Sequence, residues 1–204
     1  MTIATISKWF FGVSSLLVAF ATARVLFAPI ALVMPDMAHY LPLIPWAVFA
    51  HIVFASIALA LAPFQFWSGL RARRPWLHRS LGYGYVLSVM IAAFGSLALL
   101  PEFLGSGWAA TGFFLLALAW IACTALAVKA ARAKDFVAHR VWMLRSAALT
   151  FGAVTLRLQL PLLFAAGYSL PGAYDLLAWD SWVPNLIVIE LWLNAKRRTS
   201  RRAL

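Results

Sequence analysis

Long apolar stretches separated by short polar segments dominate this sequence. Apolar runs of about 18 residues or more favour membrane-spanning helices, because in lipid a segment must make its own backbone hydrogen bonds. The pattern predicts six such helices, at about residues 9–33, 46–66, 75–100, 108–131, 136–166 and 182–194, with a tail at 195–204. The expected fold is therefore all-α, a polytopic membrane bundle of six helices forming a single integral membrane domain.

The composition supports this interpretation. Of 204 residues, 64% are hydrophobic and 11% are charged, which is more apolar surface than a soluble domain of this size buries. The net charge of +11 would suggest nucleic acid in a soluble protein. Here the Lys and Arg residues outside the helices fall on one predicted side of the membrane only. They are Lys8, those of two segments between helices, and those of the tail. By the positive-inside rule, both termini are expected in the cytoplasm, with the lipid bilayer and not nucleic acid as partner.

The N-terminal segment admits two interpretations. Lys8, an apolar stretch and Ala21-Thr22-Ala23 together resemble a signal peptide with its cleavage site. The apolar run continues past Arg24 to Val33, which favours an uncleaved first helix. Cys123 stands alone in an apolar run, so no disulfide framework is expected and a buried thiol is predicted.

Two basic segments, 71–79 and 132–140, are alike. Aligning His78 with His139 gives four identities in nine positions, which suggests a parallel internal repeat of helices two–three and four–five. Pro75 suits a first helical position and Asp135 an N-cap, so both histidines are predicted in first helical turns. A true duplication and a chance similarity both remain open.

His78 and His139 are expected at equal depth on helices that run in the same direction. Such a pair could ligate haem b through neutral imidazoles, and a helix N-terminus disfavours the imidazolium form. Basic side chains that could hold the haem propionates lie nearby: Arg71, Arg79, Arg132, Arg140 and Arg145. Alternatively, these interfacial histidines and arginines extend to water and lipid phosphates.

The helix faces that carry the two histidines contain small and polar residues. Tyr85 follows His78 on one face, and Ser146 and Thr150 follow His139 on the other. These faces are compatible with a slot for a planar cofactor.

A second group of polar residues is predicted in the outer half of the bundle: Arg24, His51, Arg157, Gln159, Asn185 and Glu190. Ionisable residues in a membrane usually pair and often serve function. Glu190 is the only acid in a predicted span, so Arg157 or Arg24 is its expected partner. A quinone or polar-substrate pocket, a proton path and a structural salt bridge all remain open. Zinc spacings, phosphate loops and nucleophile elbows are not found in the sequence.

Several motifs carry a family resemblance: His51, Pro63-Phe64-Gln65-Phe66, His78-Arg79, the run from His139 to Ser146, Leu156-Arg157-Leu158, and Trp182-Val183-Pro184-Asn185 with Glu190. Together they resemble the bacterial membrane family called domain of unknown function 2306, which implies a multi-pass protein of the bacterial inner membrane. More loosely, the histidines on successive helices resemble the cytochrome b561 and ferric-reductase-like proteins, which carry haem b and move electrons across the bilayer. That second resemblance implies a ligand role for His78 and His139 only, and helix four departs from a two-haem pattern because it has no histidine.

The sequence thus favours a b-type cytochrome-like membrane protein, an oxidoreductase or electron carrier that binds one haem near the cytoplasmic face. Its redox partner would be a quinone or another protein. The alternative is a non-haem transport or binding protein that uses the outer Arg/His/Glu group, or an assembly subunit.

Overall fold

In the computed structural model, which describes residues 3–202, all regular structure is helical. The described α-helices are α1 (Ile3–Ala23), α2 (Ile30–Val33), α3 (Pro45–Gln65), α4 (Ser68–Arg73), α5 (Pro75–Leu99), α6 (Gly107–Arg132), α7 (Phe136–Thr150), α8 (Gly152–Ala165), α9 (Leu170–Asp180) and α10 (Val183–Arg202). Short 3-10 helices cover Arg24–Leu26, Pro35–Tyr40 and Leu100–Glu102. The all-α prediction is confirmed.

Six helical segments are long and apolar enough to cross a membrane. They are Ser7–Leu26, Pro45–Gln65, Pro75–Glu102, Gly107–Arg132, Phe136–Ala165 and Leu170–Thr199. The fifth joins α7 to α8, and the sixth joins α9 to α10. The six-span prediction is confirmed, so the chain is a multi-pass membrane protein.

The chain divides into two compact units, Met1–Leu104 and Gly105–Leu204. In the first unit, α3 and α5 form a closely packed antiparallel hairpin, and α1 packs against α3. Small side chains on α3, among them Ala58 and Ala62, are fully buried. Small residues at a helix interface allow the backbones to approach closely, which is how helices associate in lipid.

The second unit is built on a hairpin of α6 and α7. Helix α9 packs against α6 and α8, while α10 packs against α7. At the closest crossing, a Cβ added to Gly112 would lie 2.7 Å from the carbonyl oxygen of Ala178, so only glycine fits there. Cys123 is buried on α6, as predicted.

The first membrane helix is shorter than expected. Helix α1 ends at Ala23, and the span ends at Leu26, whereas the apolar run had predicted a helix to Val33. Pro29, which has no backbone N–H to donate, precedes the separate short helix α2. Arg24 therefore lies at the end of the span and not well inside it.

The sixth membrane helix begins well before the expected position. The sequence had predicted this helix at 182–194, but Leu170–Asp180 already form the helix α9. Ser169 caps this helix by accepting from the backbone N–H of Gly172, and a proline occupies its first turn. The helix breaks only at Ser181–Trp182, just before Pro184, and then continues to Arg202, so much of the expected tail is helical.

Candidate functional site

His78 and His139 occupy equivalent positions in their helices. Each is the fourth residue, of α5 and α7 respectively. The backbone N–H of His78 donates to Arg74 at 3.1 Å, and that of His139 donates to Asp135 at 2.9 Å, so each makes a first-turn hydrogen bond. Asp135 is the predicted N-cap, with its carboxylate 2.9 Å from the backbone N of Ala138. The first-turn positions and the N-cap are confirmed.

The imidazole of His139 is held by the other helix of its hairpin. Its Nδ1 lies 2.9 Å from the carbonyl oxygen of Ala127 on α6. A carbonyl oxygen only accepts, so Nδ1 must carry the hydrogen, and in the neutral ring the lone pair is then on Nε2. This is the usual arrangement of a metal-ligating histidine, in which a backbone carbonyl fixes the tautomer and the ring orientation.

The face of α5 that follows His78 packs against α3. Gln65, at the end of α3, is 7% exposed, and a Cβ on Gly82 would lie 3.2 Å from its Oε1. Tyr85, one turn further along α5, is fully buried. This face is filled by the neighbouring helix, which corrects the expectation of a slot for a planar cofactor.

The corresponding face of α7 is also filled. Ser146 lies 2.7 Å from Thr124, and the indole N–H of Trp120 donates to Thr150 at 2.9 Å. All four side chains are buried. Hydrogen bonds between α6 and α7 therefore occupy the surface on which a cofactor slot had been expected.

Four of the five arginines proposed for haem propionates are exposed near the two histidines. Arg71 lies in α4, Arg79 in the first turns of α5, Arg132 at the end of α6 and Arg140 beside His139. They suit charge-assisted hydrogen bonds to carboxylates.

Arg145 has a different partner. Its Nε lies 2.5 Å and its Nη2 3.1 Å from the two carboxylate oxygens of Glu190, and its guanidinium carbon is 4.4 Å from the centre of the Trp142 ring. A two-point contact of this kind is the strongest form of arginine–carboxylate pairing. The propionate role proposed for Arg145 is therefore not supported, because its guanidinium is already paired.

This pair also corrects the expected partner of Glu190, which was Arg157 or Arg24. Because the last span begins at Leu170, Glu190 lies nine residues from its far end at Thr199. Arg145 likewise lies nine residues from Phe136, where its own span begins. The equal spacing is visible only with these span bounds, because the sequence had predicted the last helix at 182–194. Nor is Glu190 the only acid in a span, because Asp175 and Asp180 lie in α9.

The remaining members of the expected outer group are dispersed. Arg24 donates to its own turn at Ala21, and Arg157 donates to Ala153 at 3.1 Å. Asn185 lies at the break between α9 and α10, where its amide is 2.9 Å from the carbonyl oxygen of Ser181. Gln159 lies in α8 of the same unit, whereas Arg24 and His51 belong to the first unit.

Within residues 3–202, no group of three or more His, Cys, Asp or Glu side chains is positioned to hold a metal ion. The spans, the fixed histidine and the intramembrane ion pair define a multi-pass helical membrane protein with polar groups at defined positions. The sequence matches the family model described as predicted membrane protein (DUF2306) over residues 48–193. The chain belongs to this family, as its motifs had indicated. No curated protein and no solved structure matched the chain.

Proposed function

We propose that the chain is a b-type cytochrome-like protein that binds one haem b near the basic side of the membrane and carries electrons. The observation that supports this function best is the contact between His139 Nδ1 and the carbonyl of Ala127 at 2.9 Å. It leaves the Nε2 lone pair as the ligating group, which is what a haem iron requires of an axial imidazole.

His78 is proposed as the second axial ligand. The observation that supports this role is the position of His78 as the fourth residue of α5, which matches the position of His139 in α7. Both histidines lie in the first turn of their helices. The exposed Arg71, Arg79, Arg132 and Arg140 would hold the propionates.

Bound haem would supply a one-electron couple between ferric and ferrous iron. The chain's own residues would fix the ring of His139 and neutralise the propionates. A membrane quinone or a redox protein would exchange the electron, and the bacterial inner membrane with a cytoplasmic basic side is the proposed location.

Haem content tests this proposal. The purified protein, produced with ample haem supply, should contain about one haem b per chain by pyridine haemochrome assay. His78→Ala and His139→Ala should lose it, whereas the matched control His39→Ala should retain it, since His39 lies in a separate 3-10 helix, where its ring contacts that of Tyr40. Absence of haem from the wild-type protein would reject the proposal, as would retention in His139→Ala.

A further inference from the structure

The last part of helix α10 is basic and exposed. Leu193 is still buried, but the side chains of residues 194–199 are all exposed. The sequence contains no acid after Glu190. The basic residues of this stretch and of the helical residues that follow it are Lys196, Arg197, Arg198, Arg201 and Arg202. The end of α10 is therefore a strongly positive surface.

The neighbouring residues Arg197 and Arg198 lie on different faces of α10. Arg197 follows Leu193 by four residues and Glu190 by seven, and this spacing places all three on one face of the helix. That face packs against α7, because Glu190 is paired with Arg145. The charge of Arg197 accordingly acts on the carboxylate of Glu190.

Arg198 instead continues the exposed apolar face of α10. It follows Leu191 by seven residues and Ile187 by eleven, and these two side chains are 65% and 52% exposed. Exposed apolar side chains of a membrane span face hydrocarbon. Arg198 lies about 10 Å beyond Leu191 along the helix axis. Since the span ends at Thr199, Arg198 lies where the hydrocarbon gives way to lipid headgroups.

An exposed tryptophan lies near the same end of the span. The Nζ of Lys196 is 4.9 Å from the centre of the Trp192 ring, one turn earlier in α10. Tryptophan is enriched at the interface between membrane and water, and long basic side chains there reach the lipid phosphates. Two positive charges, those of Lys196 and Arg198, thus lie in the last turn of the span.

We infer that this exposed face of α10 binds an anionic phospholipid, with Arg198 as the main contact to its phosphate. A planar guanidinium can donate to two phosphate oxygens at once, and the acyl chains of the same lipid would lie along Leu191 and Ile187. A lipid with a choline headgroup also has a phosphate, but its ammonium group would be repelled by the basic residues around it. The binding does not depend on haem.

The test is native mass spectrometry of the purified full-length protein in a neutral detergent, titrated with dioleoylphosphatidylglycerol or dioleoylphosphatidylcholine. The wild-type protein should bind the first phosphatidylglycerol more tightly than the first phosphatidylcholine. Arg198→Gln should weaken phosphatidylglycerol binding about fivefold. The matched control Arg197→Gln removes the same charge from the adjacent position and should weaken binding less than about twofold. Arg198→Lys should lie between wild type and Arg198→Gln.

Equal losses in Arg198→Gln and Arg197→Gln would show that only the net charge matters and would overturn the inference. Equal affinity of the wild-type protein for the two lipids would overturn it as well. Displacement of phosphatidylglycerol by excess inorganic phosphate, at constant ionic strength, would identify a general anion site and count against a lipid site.

Folding of each variant is checked by the protection of buried Cys123 from a thiol reagent. Should Arg198→Gln fail this check, the comparison of Arg198→Lys with Arg197→Lys decides, because only Arg198 should need a planar guanidinium. Equal affinities of these two lysine variants would overturn the inference.

Discussion

The two hairpins that carry the candidate haem ligands are held together by different forces. In α3 and α5, the contact is made by small buried residues such as Ala58 and by the close approach at Gly95, with a side-chain-to-carbonyl bond from His51. In α6 and α7, two hydrogen bonds between side chains, Trp120–Thr150 and Thr124–Ser146, cross the interface.

The basic segments between the helices differ as well. The first contains the separate short helix α4, whereas the second is a tight turn in which Lys134 has a φ of 60°. Yet α5 and α7 begin at equivalent residues, Pro75 and Phe136. The similarity of the two segments thus extends to the helix start and the histidine position, but not to the turn or to the way the helices pack.

The largest expected effect lies at the two glycine crossings. Gly112→Ala and Gly95→Ala should each destabilise the protein by about 2–3 kcal/mol, because the new methyl group meets backbone that cannot move aside. Gly107→Ala is the matched control, since nothing lies within 4 Å of its Cβ position. Thermal unfolding in detergent, followed by circular dichroism, measures all three.

A local probe would show which of the two hairpins unfolds in each variant. Cys123 is the only cysteine and is buried in α6. In the Gly112→Ala variant, this thiol should therefore begin to react with a maleimide at a lower temperature than in the wild-type protein. Unchanged stability in both crossing variants would contradict the assigned close packing.

The next effect concerns the ion pair between Arg145 and Glu190. No ion pair of this kind is described in α3 or α5. Glu190→Gln should cost about 1–2 kcal/mol, allowing for the partial exposure of the pair, because Arg145 keeps its charge inside a span. Arg145→Gln together with Glu190→Gln should cost less than the two single changes added. Strictly additive losses in denaturant titrations would show that the pair is not coupled.

Hydrogen bonding across the second hairpin should contribute less. Thr150→Val removes the acceptor of the Trp120 indole and should cost about 1 kcal/mol. Ser96→Ala in α5 is the control, because the Ser96 hydroxyl bonds only within its own helix, to Ala93. Equal losses in the two variants, by the same unfolding assay, would remove the distinction between the hairpins.

The last effect is spectroscopic and concerns a buried tyrosine outside the spans. Burial, with added repulsion from Asp36 and Glu102, raises the pKa of Tyr40 from 10.0 to about 12. The difference in absorbance at about 295 nm between wild type and Tyr40→Phe should therefore develop only near pH 12.

The raised pKa of Tyr40 also determines how the stability of the protein depends on pH. Between pH 10 and about 12 the unfolded Tyr40 loses its proton while the folded one keeps it, so stability should fall as pH rises through that window. Tyr40→Phe should lessen that fall. A difference spectrum already complete at pH 10 would contradict the burial of the phenol.

Local signals in the sequence predicted the helices and the histidine positions well. Pro75 and Asp135 fix the starts of α5 and α7 through chemistry that involves only neighbouring residues. Helix six was predicted correctly, but its start was placed too late, at residue 182 instead of Leu170. In the structure Asp175 accepts a hydrogen bond from Ser106, a contact that no local pattern reveals.

The partners of the polar side chains were the least predictable feature. Glu190 was assigned to the wrong arginine because the start of its helix was misjudged, which shifted its apparent depth by half a span. The bond between His139 and Ala127 depends on how α6 and α7 cross, and hydropathy contains no such information.

The central claim is that His78 and His139, which lie at equivalent helix starts, ligate one haem iron. The most direct test is the low-temperature electron paramagnetic resonance spectrum of the oxidised wild-type protein, beside that of His139→Ala. The account predicts a low-spin ferric signal of two axial imidazoles in wild type, replaced in the variant by high-spin iron or by loss of the haem. A wild-type spectrum without low-spin haem, or an unchanged low-spin signal in His139→Ala, would contradict it.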